Sequence, residues 1–189
     1  MSHKFDPKRA DRLLSPGRYQ ELKPDILLMR LGAPPGSTIL DLGCGNGFFT
    51  FPAAVAMGEG MVIAADTSEH MLALLNRRDP PENVQVLQVE EVKMEVDSKS
   101  VDAAVLFFLY HEFKSPDKNL AELKRTLKPE GKLMILDWDP TSERERGPSK
   151  DHRIAQTQAL RDLKAAGFSV DVQENYVEDV WMIIAHKSA

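Results

Sequence analysis

The run Ile39-Leu40-Asp41-Leu42-Gly43-Cys44-Gly45-Asn46-Gly47 places an acid near the end of an apolar stretch and then a glycine at every second position. Apolar residues resume with Phe48-Phe49. The pattern predicts a buried strand, a tight turn and the opening of a helix. Glycine lacks a Cβ, so such a turn can bend sharply, approach a ligand and present amide N–H groups at the helix start. That chemistry suits a nucleoside or a phosphate, and two nucleotide-loop readings fail on particular residues. A P-loop needs Gly-Lys-Ser/Thr after its last glycine, where this chain has Phe48-Phe49. A dinucleotide loop needs a small residue at 48, where Phe48 would crowd the contact between helix and sheet.

Other residues with chemical potential lie downstream. Met61-Val62-Ile63-Ala64-Ala65 reads as a second buried strand and ends in Asp66, 19 positions after Gly47. That is close to the ~20 at which a strand-end acid takes ribose hydroxyls. The plainer alternative for Asp66 is a helix cap or a solvated strand end. The most apolar run, 101–109, is followed by Tyr110 and His111. His111 is the best-placed base, with an ordinary pKa suited to proton transfer; the bland alternative is a loop histidine that packs. Tyr110 either lines the site or packs at its rim. His152 and Arg153, at the end of a long charged loop, either bind an anionic acceptor or cap the next helix. The five histidines show no metal-ligand spacing and Cys44 is the only cysteine, so neither a metal site nor an internal disulfide is expected.

The elements that must position these residues alternate. Residues 1–17 are polar and hold Pro7, Pro16 and Gly17, as expected of a loose arm or lid. A helix is expected over 19–31, with Pro24 near its true start. The helix after the glycine loop should run to about Met57, with Pro52 removing one i→i−4 bond. Thr67 or Ser68 can cap the next helix, whose buried stripe is Met71, Leu72, Leu74 and Leu75. Residues 84–89 alternate as a strand near a sheet edge, and 90–99 read as an acidic loop. Strand 101–109, helix 117–127, strand 132–138, loop 139–151 and helix 154–166 follow. Two strands over 168–172 and 180–185 close the chain as a hairpin-like pair. Alternating strands and helices predict an α/β fold, a mainly parallel sheet with helices on both faces. Ligands then sit at the carboxyl ends of the strands, where Asp41, the glycine loop, Asp66, Glu90, Phe107 and Asp137 all fall.

The chain's 189 residues allow one domain with a substantial core. With 42% hydrophobic and 28% charged residues and a net charge of −5, nothing is basic enough to track a phosphate backbone. Nucleic acid is therefore a poor partner. No apolar run reaches the ~18 residues of a membrane span, and residues 1–6 show no apolar signal region, which makes a cytoplasmic location the default expectation.

Four stretches together resemble class I S-adenosylmethionine-dependent methyltransferases of the ubiquinone/menaquinone-methyltransferase-like type. They are Asp-Leu-Gly-Cys-Gly-Asn-Gly (41–47), the acid Asp66, Ser-Val-Asp (100–102) and Leu-Lys-Pro-Glu-Gly-Lys-Leu (127–133). The resemblance implies a Rossmann-like sheet of seven strands in the order 3-2-1-4-5-7-6, with strand 7 antiparallel. It implies an arm and helix over 1–35 packed on a single methyltransferase domain, 36–189. It also implies S-adenosylmethionine as cofactor, leaving as S-adenosylhomocysteine. Gly43, Gly45 and Gly47 would surround the methionine moiety and Asp66 would take the ribose, with Asp41, Cys44, Thr67, Met71 and Phe107 also at the cofactor site. Glu90 or Glu91 would meet the adenine amino group. Arg12-Leu13 with Pro16 and Arg18, Tyr110-His111, and residues 147–154 further resemble a group of small single-domain methyltransferases, a match silent on the acceptor. The Asn/Asp-Pro-Pro-Tyr/Phe segment of amino-nitrogen methylases is absent, with Phe107-Phe108-Leu109-Tyr110 in its place, and arsenite methylation is implausible with Cys44 alone. A small organic acceptor is left by elimination. The rival readings are a cofactor-binding module without catalysis and an NAD-linked oxidoreductase, the latter opposed by Phe48.

Overall fold

β1 (Thr38–Leu42), β2 (Met61–Asp66), β3 (Val84–Gln88), β4 (Val101–Phe107) and β5 (Leu127–Trp138) pair in parallel in a computed structural model that describes residues 7–144 and 146–188. β7 (Val180–Lys187) runs antiparallel to β5 and to β6 (Phe168–Val177). The sheet order is β3-β2-β1-β4-β5-β7-β6, the order that the family resemblance implies. The helices are α1 (Pro16–Leu22), α2 (Pro24–Leu31), α3 (Thr50–Met57), α4 (Glu69–Asn76), α5 (Pro116–Thr126) and α6 (Gln156–Ala165).

Period-two alternation sorts the strand side chains onto two apolar faces. Leu40, Ile63, Ala104, Ile135 and Ile183 pack with Leu120 and Leu123 of α5 and Ala159 and Leu163 of α6. Ile39, Val62, Val105, Met134 and Met182 pack with Leu27 and Leu31 of α2 and Ala53 and Met57 of α3. Each fully buried Leu or Ile contributes about 1.5–3 kcal/mol, so the centre of the sheet is a rigid floor. β3, at the edge, is only half-buried. Among the described residues, no helix is long and apolar enough to cross a membrane.

Local chemistry explains three departures from the expected elements. Helix α3 begins at Thr50, so Pro52 falls in its first turn, where the missing N–H would have had no intrahelical partner, and no bond is lost. The single helix expected over 19–31 is two helices, parted at Lys23 in the left-handed region (φ 44°), with Pro24 opening the second. β5 includes Leu127, and the stop signal Pro129-Glu130-Gly131 lies in an irregularity of its register with β4.

The expected loose arm is largely built. Its residues 1–6 lie outside the described residues, but Pro7–Leu14 form a 3-10 helix and α1 starts at Pro16. Ser15 caps α1 by accepting from the Arg18 amide at 3.4 Å. Long-range bonds hold the segment down. The Asn46 side chain donates to the Ala10 carbonyl at 2.8 Å, Tyr19 Oη to the Phe48 carbonyl at 3.2 Å, and Tyr176 Oη to the Leu22 carbonyl at 2.8 Å.

Arg146 stitches this segment to the 139–149 loop. It donates Nη1 and Nη2 to the two Glu21 oxygens at 2.5 and 2.7 Å and forms a second fork on Asp179. The Asp179 side chain is 0% exposed, while Arg146 is 35% exposed. The Arg146 bond holds Glu21 below its ordinary pKa against the cost of burial. For Asp179, burial pushes the pKa up, but Arg146 and Arg144 more than offset it. Arg146→Ala strands Asp179 and is expected to cost about 1–3 kcal/mol, discounted from a fully buried pair for Arg146's exposure. Two depressed carboxylates contribute stability above their ordinary pKa values and lose it as pH falls through the depressed ones. The melting-temperature gap between wild type and Arg146→Ala should therefore be widest near neutral pH and close towards pH ~3. A gap that does not vary with pH in thermal melts would refute this account.

Candidate active site

The glycine loop hangs from β2, with the Gly43 and Cys44 amides donating to the Ala65 carbonyl at 2.7 and 3.1 Å. Gly43, Gly45 and Gly47 have φ of 75°, 56° and 89°, the left-handed region that favours glycine. A Cβ on Gly43 would lie 2.9 Å from Leu109, and one on Gly45 would lie 3.2 Å from Met71 and 3.5 Å from Leu13. The loop is therefore a cradle that any side chain would fill, walled by the 3-10 helix, by α4 and by the segment after β4.

Asp66 sits at the end of β2 beside this cradle. Its Oδ2 accepts from the Gly45 amide at 2.9 Å and its Oδ1 from the Ser68 amide at 2.8 Å. The acid thus ties the glycine loop to the start of α4. Asp41 lies beneath, 2% exposed, and accepts from Thr50 Oγ1 at 2.6 Å. Burial pushes its carboxyl up to about 7, the Thr50 bond opposes the rise and the charge of Asp66 adds to it. The buried Cys44 thiol is raised well above its ordinary pKa by burial and by both acids, so it stays protonated and unreactive. Met71 is buried against Gly45 and Thr67 is exposed. Phe107 packs edge-on against Phe49 at 4.5 Å. The two acids after β3 differ in surroundings. Glu91 pairs with Lys114 at 2.7 Å, whereas Glu90 is exposed. The cradle, Asp66 on the neighbouring strand and Glu90 after the third fit S-adenosylmethionine.

His111 lies two residues beyond Leu109, in a 3-10 turn over Tyr110–Glu112. Its Nδ1 is 2.7 Å from Asp137 Oδ1, and its backbone amide donates to Asp137 Oδ2 at 2.9 Å. Asp137 is fully buried near the end of β5 and also accepts from the Trp138 amide at 2.7 Å. A carboxylate only accepts, so neutral His111 carries its proton on Nδ1 and keeps a lone pair on Nε2. Burial lowers the His111 pKa, but the Asp137 bond and charge, helped by Glu112, outweigh it and leave the pKa raised. The sequence placed Asp137 at a strand end without pairing it to His111, because 26 residues separate them.

The remaining predicted residues have other surroundings. Tyr110 is 1% exposed, donates to Asp162 at 2.8 Å and packs on Phe113 and Trp181. It is a core residue with its hydroxyl committed. His152 is 2.7 Å from Ser149 Oγ within its own turn. Arg153 is buried and donates to the carbonyls of Pro148, Asp139, Arg144 and Arg146. It therefore shapes the 139–149 loop rather than offering a bare charge to an acceptor.

Two aromatic residues, Phe108 after β4 and Trp138 at the end of β5, lie beside the His111–Asp137 pair. Phe108 has φ 58°, a strained conformation for a bulky residue that costs about 1–3 kcal/mol and tends to occur at functional sites. Its ring meets that of Trp138 in a tilted contact at 4.5 Å, and Gly147 lies so close to the same indole that a Cβ there would clash at 2.6 Å. Among the described residues, no group of three or more His, Cys, Asp or Glu could hold a metal ion.

Comparison with known proteins agrees with this geometry. The family profile described as Methyltransferase domain matches residues 40–135, just over half of the chain. A demethylmenaquinone methyltransferase of Clavibacter sepedonicus is 36% identical over 132 residues, covering 69% of this chain and 52% of the relative. A ubiquinone/menaquinone biosynthesis C-methyltransferase of Vibrio cholerae is 33% identical over 112 residues, covering 57% and 43%. The chain spans about half the length of these curated relatives. A crystal structure of a SAM-dependent methyltransferase from Aquifex aeolicus superposes with a TM-score of 0.90 at 32% identity, covering 97% of this chain and 99% of that one. By profile, sequence and fold, the chain belongs to the class I S-adenosylmethionine-dependent methyltransferases.

Proposed function

We propose that the chain methylates a small, planar, protic acceptor of the quinol type, with His111 as the base. The observation that carries this reading is the His111–Asp137 pair next to the glycine cradle. When bound, S-adenosylmethionine supplies a methyl group that is already electrophilic. Gly43, Gly45 and Gly47 would hold its methionine end, Asp66 the ribose and Glu90 the adenine. The chain's remaining work is to align the acceptor, exclude water and take a proton. Alignment alone can lower a barrier by up to ~7–11 kcal/mol in well-oriented systems. His111 Nε2 accepts the proton of an acceptor hydroxyl or acidic carbon, and Asp137 stabilises the resulting imidazolium. Phe108 and Trp138, packed on each other, would form an apolar wall beside the acceptor. The names of the quinone-methylating relatives support an acceptor of this class, and the segment from Pro7 to Leu31 would form one wall of the closed site.

Calorimetry followed by turnover tests this reading. Purified protein should bind S-adenosylmethionine and S-adenosylhomocysteine at micromolar concentration. It should also give methylated product, seen by mass spectrometry, from reduced benzoquinones or naphthoquinones. Binding without product from any hydroquinone or phenol would retire the quinol acceptor, and no binding would retire the enzyme reading altogether.

A further inference from the structure

Glu90 and Glu91 follow the edge strand β3, but the sheet ladder does not reach them. β3 ends at Gln88, and residues 89–97 form neither helix nor strand. The segment starts beside the acid suited to the ribose, with the Val89 amide donating to the Asp66 carbonyl at 3.1 Å. From there α5 carries it. Asn119, 4% exposed, donates Nδ2 to the Glu91 carbonyl at 2.6 Å. Glu122 Oε1 accepts from the Met94 amide at 2.9 Å, and Arg125 Nη2 donates to the Met94 and Val96 carbonyls at 3.1 and 2.7 Å. Arg125 also grips Glu122 and holds its carboxyl below the ordinary pKa, so the bond to the Met94 amide is charge-assisted. Val89, Met94 and Val96 are buried in one core cluster with Leu120 and Leu123 of the same helix.

An irregular segment has no ladder of its own, so its tethers decide where its side chains stand. Between the buried anchors Val89 and Met94 lie residues 90–93, and two bonds shape them. One runs from the Glu90 amide to the Lys93 carbonyl at 3.2 Å, and the other is the Asn119 bond. Glu91 is committed twice, its carbonyl to Asn119 and its carboxylate to Lys114 at 2.7 Å. The Lys114 pair is exposed and contributes little, whereas the Asn119 side chain is buried. Glu90, the neighbour of the residue so held, is exposed at the carboxyl end of the strand. A carboxylate there accepts from a purine amino group only within about 2.7–3.2 Å, so small shifts of the segment matter.

We propose that Asn119 is a positioning residue for adenine recognition: by holding the Glu91 carbonyl it sets where the Glu90 carboxylate stands, and so gives the site its preference for a 6-amino over a 6-oxo purine. Glu122 and Arg125 hold the far side of the same segment. The inference deepens the methyltransferase reading and rests on its assignment of the adenine to Glu90.

Calorimetry with S-adenosylhomocysteine and its 6-oxo counterpart, S-inosylhomocysteine, tests this on wild type, Asn119→Ala, Asn119→Leu and Glu90→Gln. Alanine and leucine both lack the donor and differ in size, and both are good helix formers. Wild type should prefer the amino ligand by about 10–100-fold, because the oxo ligand turns an oxygen towards a carboxylate. Glu90→Gln should bring that preference to within about threefold, since an amide can meet either ligand. Both Asn119 variants should cut the preference by about fivefold or more, through weaker binding of the amino ligand, and leave the oxo ligand within about twofold. An unchanged preference in the Asn119 variants would overturn the proposal, whether both ligands bind as in wild type or both weaken equally, the mark of a merely structural asparagine. A wild type without preference, or a Glu90→Gln that keeps it, removes Glu90 from the adenine and this inference with it. Wild type that binds neither ligand would instead overturn the methyltransferase reading.

Discussion

Asp66→Ala is expected to weaken S-adenosylhomocysteine binding by roughly 100-fold or more, since hydrogen bonds to a charged group contribute about 1.5–3 kcal/mol each. Two losses combine in this variant. The carboxylate is the group suited to ribose hydroxyls at the end of β2, and it also fixes the Gly45 amide at 2.9 Å and the Ser68 amide at 2.8 Å. Without it the glycine loop loses its tie to α4, so the cradle is both less polar and less preorganised. The same variant should weaken 5′-methylthioadenosine by a similar factor, because that ligand retains the ribose. Asp66→Asn, which can still accept one amide, should fall between wild type and alanine. Calorimetry in which Asp66→Ala binds within about threefold of wild type would remove Asp66 from the cofactor site.

The glycine loop and the place of Asp66 at the end of β2 could be read from the sequence because each is encoded locally, whereas the strand order followed only from the family resemblance. A buried strand announces itself by a continuous apolar run, and a glycine turn by its spacing. Three parts of the site could not be read this way. The His111–Asp137 pair is made by β4 and β5 lying side by side, and nothing within either segment points to the other. Arg153 resembled an acceptor-binding charge, but its four carbonyl partners come from a loop whose path exists only once folded. The N-terminal segment resembled a loose arm because its own composition is polar. Its order comes from Asn46, Phe48 and Tyr176, which are far away in sequence. Tyr110 shows the converse. Its neighbour His111 faces the Asp137 carboxylate, while Tyr110 itself is turned into the core towards Asp162, a division that adjacency alone does not disclose.

His111→Gln should lower turnover by about 10²–10⁴-fold at pH 8, the range for loss of a positioned general base. S-adenosylhomocysteine affinity should stay within about twofold, because no cofactor contact is removed. The pH dependence follows from the Asp137 contact. His111 has a raised pKa, so its charged form with Asp137 adds stability below the ordinary value of ~6.5 and that contribution is lost as pH rises through the raised pKa. The base must be neutral to work, so turnover should rise with pH through a midpoint above ~6.5. Asp137→Asn removes the charge that outweighs burial. Burial then dominates, and the His111 midpoint should drop below ~6.5, even though turnover falls because the imidazolium has lost its partner. Imidazole resonances followed by NMR titration read this midpoint directly, without any acceptor. If the His111 midpoint is the same in wild type and Asp137→Asn, the pair does not set its basicity and His111 loses its claim as the base. If the midpoint shifts as expected while His111→Gln turns over an identified acceptor at the wild-type rate, the pair is a structural brace, and alignment alone carries the chemistry.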